Sequence, residues 1–250
     1  MDVALAAFVF APGLALGSFL NVVAARLPER RSIVGPRSAC TACGSVIAWY
    51  DNIPLVSYAI LRGRCRSCQA RIGLRYPAVE LATALLVAAC FLRFGFSGQA
   101  FVGAYFCAVL VVLSAIDVER RILPDVIVLP SWAIVLAAQI ALEPDRWVEW
   151  VAGSFGASLF LFLALLAYPK GMGLGDVKLA LLLGAALGVT VVVGMMIGML
   201  SALVYSSVLF ARHGMKARKM GIPFGPFLAL GAIVALFAGE PILDAYLSGF

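Results

Sequence analysis

Apolar residues along this chain fall into eight long runs, at 4–24, 78–94, 99–116, 126–142, 148–168, 176–191, 193–211 and 224–247, separated by short polar or glycine-rich breaks. A helix needs about 20 mostly apolar residues to cross the hydrocarbon core of a bilayer. The pattern therefore predicts about eight transmembrane helices. The sixth and seventh runs are the least cleanly divided, because only Gly188 and Gly194 interrupt them. A single long polar segment, 26–77, lies between the first and second runs. There is no internal repeat and no low-complexity tract.

Composition makes lipid obligatory. The 250 residues are 63% hydrophobic and 13% charged, with a mean hydropathy of +1.03. A soluble domain of this length has too little core to hide that much apolar surface. The expected fold class is an all-α polytopic membrane protein, divided into a first transmembrane helix at 1–25, a soluble loop at 26–77 and a seven-helix membrane domain at 78–250.

Charge orients the bundle. Of 19 Lys and Arg residues, nine lie between Arg26 and Arg75, and Arg120, Arg121, Lys170, Lys178, Arg212, Lys216, Arg218 and Lys219 also sit in or beside odd-numbered loops. Arg93 and Arg146 fall on the opposite side, together with Asp2, Glu143, Asp145, Glu149, Glu240 and Asp244. The excess of Lys and Arg on cytoplasmic loops puts the odd loops in the cytosol and both termini outside. The net charge of +6 then reflects topology and anionic lipid, and no nucleic-acid partner is expected. The first run is not a signal peptide, since Asp2 precedes it and its arginines follow it.

Within the loop, Cys40-Thr-Ala-Cys43-Gly44 and Cys65-Arg-Ser-Cys68 form two C-x-x-C pairs. Two such pairs converge readily on one tetrahedral zinc, with Gly44 freeing the backbone after the first. Arg37, Arg64 and Arg66 nearby would favour thiolates. A loop of this size needs a staple, and metal binding supplies one. Disulfides do not suit a cytosolic face, and a redox pair would require a βαβ setting. An iron–sulfur cluster takes the same ligand type and stays open. Four thiolates close the coordination sphere, so the zinc would be structural. Cys90 and Cys107 read as small buried apolar residues.

Ionisable residues at membrane depth are costly and therefore functional candidates. Asp117 ends the third run and Asp176 opens the sixth, both at the cytosolic boundary in the topology above. Two carboxylates meeting in a poorly hydrated cleft can share one proton, one acting as base and the other as acid, which is the chemistry of an aspartyl protease. The run Gly171-x-Gly173-x-Gly175 does not match a phosphate-binding fingerprint. Its glycines read as permissive residues that keep the chain non-helical beside Asp176. Asp125, after Pro124, reads as an N-cap of the fourth helix, with a secondary role at the site as the alternative. Lys178 does not share a helix face with Asp176 and is expected to meet lipid headgroups or another span. Glu80 is expected to pair with an arginine near the start of the second helix.

Together these residues resemble a known family. Gly17-Ser-Phe-Leu-Asn21-Val-Val followed by Arg26-Leu-Pro28, the paired C-x-x-C motifs, Arg75-Tyr-Pro-x-Val-Glu80, Leu123-Pro-Asp125, Gly173-x-Gly175-Asp176-x-Lys178 and Ile222-Pro-Phe-Gly-Pro226 are similar to the motifs of bifunctional prepilin peptidase/N-methyltransferases, spread over nearly the whole chain in the family's order. The resemblance implies a multi-pass enzyme of the bacterial inner membrane that cleaves the basic leader from type IV prepilins and pilin-like secretion subunits on the cytosolic side. It implies methylation of the new N-terminus with S-adenosylmethionine. It places the catalytic aspartates at Asp117 and Asp176, and the zinc ligands at Cys40, Cys43, Cys65 and Cys68 in the methyltransferase-associated loop. The alternatives are a peptidase with a purely structural loop, and a non-enzymatic scaffold or transporter. No glycine fingerprint locates S-adenosylmethionine; Glu80 and the Arg62–Arg66 turn are candidate contributors.

Overall fold

The computed structural model describes residues 2–169, 171–214 and 221–248; Lys170, Lys216, Arg218 and Lys219, counted above toward the basic face, lie outside them. Eight long helices carry the described chain: α1 Asp2–Arg26, α3 Arg75–Phe94, α4 Gly98–Arg120, α5 Asp125–Leu142, α6 Trp147–Ala167, α7 Leu174–Leu187, α8 Val191–His213 and α9 Gly225–Leu247. The short helix α2, Val56–Ile60, lies in the loop between α1 and α3. Strand pairing among the described residues is limited to two isolated bridges, Ala39 with Val46 and Arg64 with Arg71. The expected all-α architecture is present.

Seven helical stretches are long and apolar enough to span a bilayer, and one of them, Leu174–His213, has 40 residues. A straight helix of that length would measure about 60 Å, twice the hydrocarbon thickness. It is instead two helices. Gly188 leaves the helical region at φ +54° and a 3-10 turn, Gly188–Thr190, separates α7 from α8. An L-residue is strained at that φ, so the break belongs to glycine. Neighbouring contacts show that the chain reverses there. Gly194 lies against Ala232 and Ala235, Gly198 against Leu228, and Tyr205 stacks on Phe227 at 5.4 Å, so α8 runs antiparallel to α9. The first residue of α9 bonds Asp117, near the start of α7. Hence α7 and α9 start at one end, and α8 returns to it. α7 is also short: 14 residues rise only about 21 Å.

The chain forms two compact units, Met1–Ile116 and Asp117–Phe250. In the first, α1 and α3 pack antiparallel at close range through small residues. A Cβ on Gly17 would stand 2.6 Å from Glu80 Cα, and one on Gly13 would stand 2.9 Å from Ala84 Cα. Two small residues one turn apart let backbones approach where lipid provides no hydrophobic drive. Asn21, a further turn along, donates to the Tyr76 carbonyl at 3.0 Å. Gly17→Ala forces these helices apart, and we expect it to destabilise the protein by about 1–3 kcal/mol, read as a lower melting temperature in detergent. Cys90 and Cys107 are fully buried with sulfurs 4.0 Å apart.

In the second unit, α5, α6 and α7 are tied by polar bonds inside the apolar interior. Trp132 Nε1 donates to Ser154 Oγ at 2.9 Å, and the Ser154 hydroxyl donates to the Leu181 carbonyl at 2.8 Å. Gln139 donates to the Ala186 carbonyl at 3.0 Å. Each satisfies a group that lipid could not.

Candidate active site and metal centre

Asp117 sits in the last turn of α4, with 5% of its surface exposed, and Asp176 in the first turn of α7, with 9% exposed. Each carboxylate is held by the backbone at the start of a helix. The Gly225 N–H, opening α9, donates to Asp117 Oδ2 at 3.0 Å. The Gly173 N–H, capping α7, donates to Asp176 Oδ2 at 3.2 Å. Helix N-termini present unpaired N–H groups and a positive dipole end, which favours negative charge on Asp176; for Asp117 the start of α9 opposes the negative end of its own helix α4. The two are close enough to interact electrostatically.

Leu123, in the turn between α4 and α5, joins the two halves. A Cβ on Gly175 would lie 3.1 Å from Leu123 Cβ, and one on Gly225 would lie 3.4 Å from Leu123 Cδ2 and 2.9 Å from Asp117 Oδ2. The glycine run therefore acts by size. Contrary to the expectation of a non-helical stretch up to Asp176, α7 already begins at Leu174, and Gly175 is helical. Gly173 is extended, at φ −98° and ψ 158°, a conformation open to any residue.

Asp125 also departs from expectation. Pro124 is the N-cap of α5, and Asp125 is its first residue without a capping bond. Its carboxylate takes two bonds from Lys178 Nζ, at 2.8 and 2.7 Å. Proline at the cap position shifted the helix start by one residue. Lys178 thus meets another span, the second of its two expected partners. This pair ties the α4–α5 turn to the first turns of α7. The pair is partly exposed, so it contributes only about 0.2–1 kcal/mol. We expect Lys178→Ala to lower the melting temperature in detergent by a few degrees at most, and the exchanged pair Asp125→Lys/Lys178→Asp to recover part of the loss.

In the first unit, Glu80 is buried and accepts the Leu55 N–H at 2.9 Å, with Ser18 also bonded to it. It anchors the loop where an arginine partner had been expected. Leu55 sits at φ +57°, a strained conformation for leucine.

The four cysteines converge. Sγ atoms of Cys40, Cys43, Cys65 and Cys68 lie within 4.8 Å of one another. Both knuckles have one design. Gly44 N–H bonds the Cys40 carbonyl and Gln69 N–H the Cys65 carbonyl, at 2.9 and 3.0 Å, with Gly44 at φ +72° and Gln69 at φ +58°. The hydroxyl and backbone of Ser45 lower the Cys43 pKa to about 6, and backbone N–H groups of Cys68 and Ser67 lower that of Cys65. The Ala70 amide would lower the Cys68 pKa, but the neighbouring thiols drive it up to about 11. Four sulfurs this close cannot all ionise unless a cation joins them, so the donor set fits a thiophilic divalent metal. Arg66, expected to favour thiolates, is instead engaged by Asp51 at 2.7 and 2.6 Å. Ser45 and Asp51 carried no functional signal in the sequence. Leu123 stood inside a recognised motif, but only the fold shows what it touches.

The comparisons agree along the chain. The family model described as Bacterial Peptidase A24 N-terminal domain matches residues 12–94, and that described as Type IV leader peptidase family matches residues 104–215. A Bacillus subtilis protein named prepilin leader peptidase/N-methyltransferase is 35% identical over 96% of this chain and 96% of its own length. A Pseudomonas aeruginosa protein of the same name is 37% identical over 94% of this chain and 91% of its own. One from Myxococcus xanthus is 42% identical over 73% of this chain and 56% of its own. No solved structure matches. With both family models aligned in order on the two halves, and relatives matching end to end, this multi-pass membrane protein belongs to the type IV leader peptidase family.

Proposed function

We propose that this chain removes the basic leader from prepilins and pilin-like secretion subunits at the cytosolic membrane face and methylates the new N-terminus. The observation that carries the peptidase reading is the placing of Asp117 and Asp176, buried, each bonded by a helix-start amide and in electrostatic reach of one another.

In this reading one aspartate is ionised and draws a proton from water, while the other, protonated, donates to the scissile carbonyl. Water adds to the carbonyl carbon and its proton passes to the first carboxylate. The protonated partner neutralises the developing oxyanion, and the leaving amine is then protonated as the C–N bond breaks. Gly225 and Gly173 hold the acids in place by amides that bind either protonation state. The starts of α7 and α9 and the end of α8 share one end of the second unit, which the charge pattern assigns to the cytosol. A basic leader is drawn toward that acidic pair while the apolar remainder stays in lipid.

The four cysteines would hold zinc as a closed structural site. S-adenosylmethionine would supply the methyl group to the freed amine. In the first unit Asn21 is 5% exposed, and its Oδ1 has no hydrogen-bond partner among the described residues. It lies one turn along α1 from Gly17, which packs on Glu80, and its free acceptor suits a donor of that cofactor, Glu80 being held by Leu55 and Ser18.

The test is direct. Purified protein is incubated with a prepilin substrate, with and without S-adenosylmethionine, and products are read by mass spectrometry. The mature N-terminus, heavier by one methyl when cofactor is added, is the expected result. Mature product that never gains a methyl mass would restrict the chain to proteolysis. Intact prepilin under all conditions would overturn the reading.

A further inference from the structure

The loop of the first unit carries an apolar feature besides its four cysteines. Residues 53–61, Ile-Pro-Leu-Val-Ser-Tyr-Ala-Ile-Leu, contain no charged side chain, although the loop 26–77 as a whole holds nine arginines against Glu29 and Asp51. The short helix α2 forms the middle of this segment. Its inner side is fastened. Ser57 is buried and donates to the Tyr50 carbonyl at 2.8 Å, and the Tyr58 hydroxyl donates to the Ile72 carbonyl at 3.3 Å. On its outer side Val56 and Ile60, one turn apart, are 50% and 70% exposed, and Ile53, just before the helix, is also exposed. We propose that this outer face is a membrane anchor, which lies in the leaflet that the charge pattern assigns to the cytosol and holds the loop against anionic lipid.

The depth of the segment supports that partner. The Leu55 N–H, immediately before α2, donates to the Glu80 carboxylate at 2.9 Å. Glu80 lies in the second turn of α3, about 7.5 Å from its start. It packs against Gly17, well before α1 ends at Arg26. At that level both spans already present exposed apolar side chains, Phe19 on α1 and Leu81 on α3. The segment therefore dips back to the edge of the lipid-facing surface, and its aliphatic face continues that surface.

Charge and aromatic residues agree. Arg62 and Arg64 directly follow the segment and are exposed, where anionic headgroups attract them. Trp49 is 81% exposed and meets Tyr50 edge to face at 5.7 Å, while Arg66 lies over the Tyr50 ring at 5.6 Å. Tryptophan and tyrosine favour the headgroup level, where one part of the ring is apolar and its tip is wet. An acidic protein would satisfy the arginines and leave the aliphatic face unmatched, whereas a bilayer surface matches both. Anchored in this way, the loop stays at the level where an apolar substrate segment leaves lipid, which suits the methyl transfer proposed above. The anchoring itself does not depend on that reading.

The experiment uses the full chain in nanodiscs of phosphatidylglycerol and phosphatidylethanolamine. An environment-sensitive fluorescent amino acid replaces Ile60, whose exposure leaves room for it. Lipids brominated high on their acyl chains should quench most of its emission, and aqueous iodide should quench little. Quenching by iodide alone would place the face in water. Quenching by neither would show it covered by protein, whether the second unit or a second copy. Either result overturns the proposal. As an independent measurement, Ile60→Asp sets a negative charge against the anionic leaflet. Trypsin should then cut after Arg62 and Arg64 faster than in the parent, while bound zinc stays at the parental level and shows that the loop is still folded. An unchanged cutting rate would also count against the anchor. If the parent never methylates a pre-cleaved pilin, the methyltransferase reading fails, whereas the quenching still reports the anchor by itself.

Discussion

Asp176→Asn and Asp117→Asn should each lower prepilin cleavage by about 10²–10⁴-fold, the range expected when a positioned acid or base is lost. The substitutions are chosen to separate chemistry from structure. Asparagine keeps the volume of aspartate and an acceptor oxygen. Gly173 can therefore still donate to residue 176, and Gly225 to residue 117, across the present 3.2 and 3.0 Å. What disappears is the ability to exchange a proton. The melting temperature should stay close to that of the parent, and a pre-cleaved pilin peptide should still be methylated. Rates are read from the appearance of the mature N-terminus by mass spectrometry. A variant that cleaves as fast as its parent would remove that aspartate from the mechanism. By the same logic the pair should act as a unit, so the double variant should be little slower than either single one.

Removing two ligands from the metal centre should have the second largest effect. Cys40→Ser/Cys65→Ser takes one sulfur from each knuckle and leaves Cys43 and Cys68. Binding free energies of structural zinc in small peptides are about 10–16 kcal/mol, and that energy is largely folding energy. The loop has few other means of holding itself. It contains one five-residue helix, two isolated bridges, the Arg66–Asp51 pair and the Glu80 anchor. Elemental analysis should fall from about one zinc per chain to near none. Limited proteolysis should open new sites between residues 38 and 72. Acid should mimic the substitution, because metal must compete with protons for the sulfurs. Zinc retained at the parental level would refute this ligand set.

The sequence disclosed the helices because membrane insertion writes them as long apolar runs, and each observed boundary falls within a few residues of its run. It disclosed the cysteines because a knuckle has a fixed local spacing. It was weaker wherever the answer depended on what lies across from a residue. Asp125 had the neighbours of a cap, but Pro124 took that position and left its carboxylate to Lys178, 53 positions away. Glu80 had an arginine nearby in sequence, yet the amide of Leu55 reaches it through a turn that no periodicity announces. The glycines before Asp176 were recognisable, but their reason was not: it is the proximity of Leu123, visible only once α7 and the α4–α5 turn are packed together.

The shortness of α7 has a hydraulic consequence. Hydrolysis needs water, and an apolar slab about 30 Å thick would starve an acid buried in it. A helix of 14 residues rising about 21 Å falls roughly 9 Å short of that slab. α7 is largely sheathed by protein, with ten of its 14 residues buried. The reacting water therefore has less apolar depth to cross along α7 than a full-length span would impose.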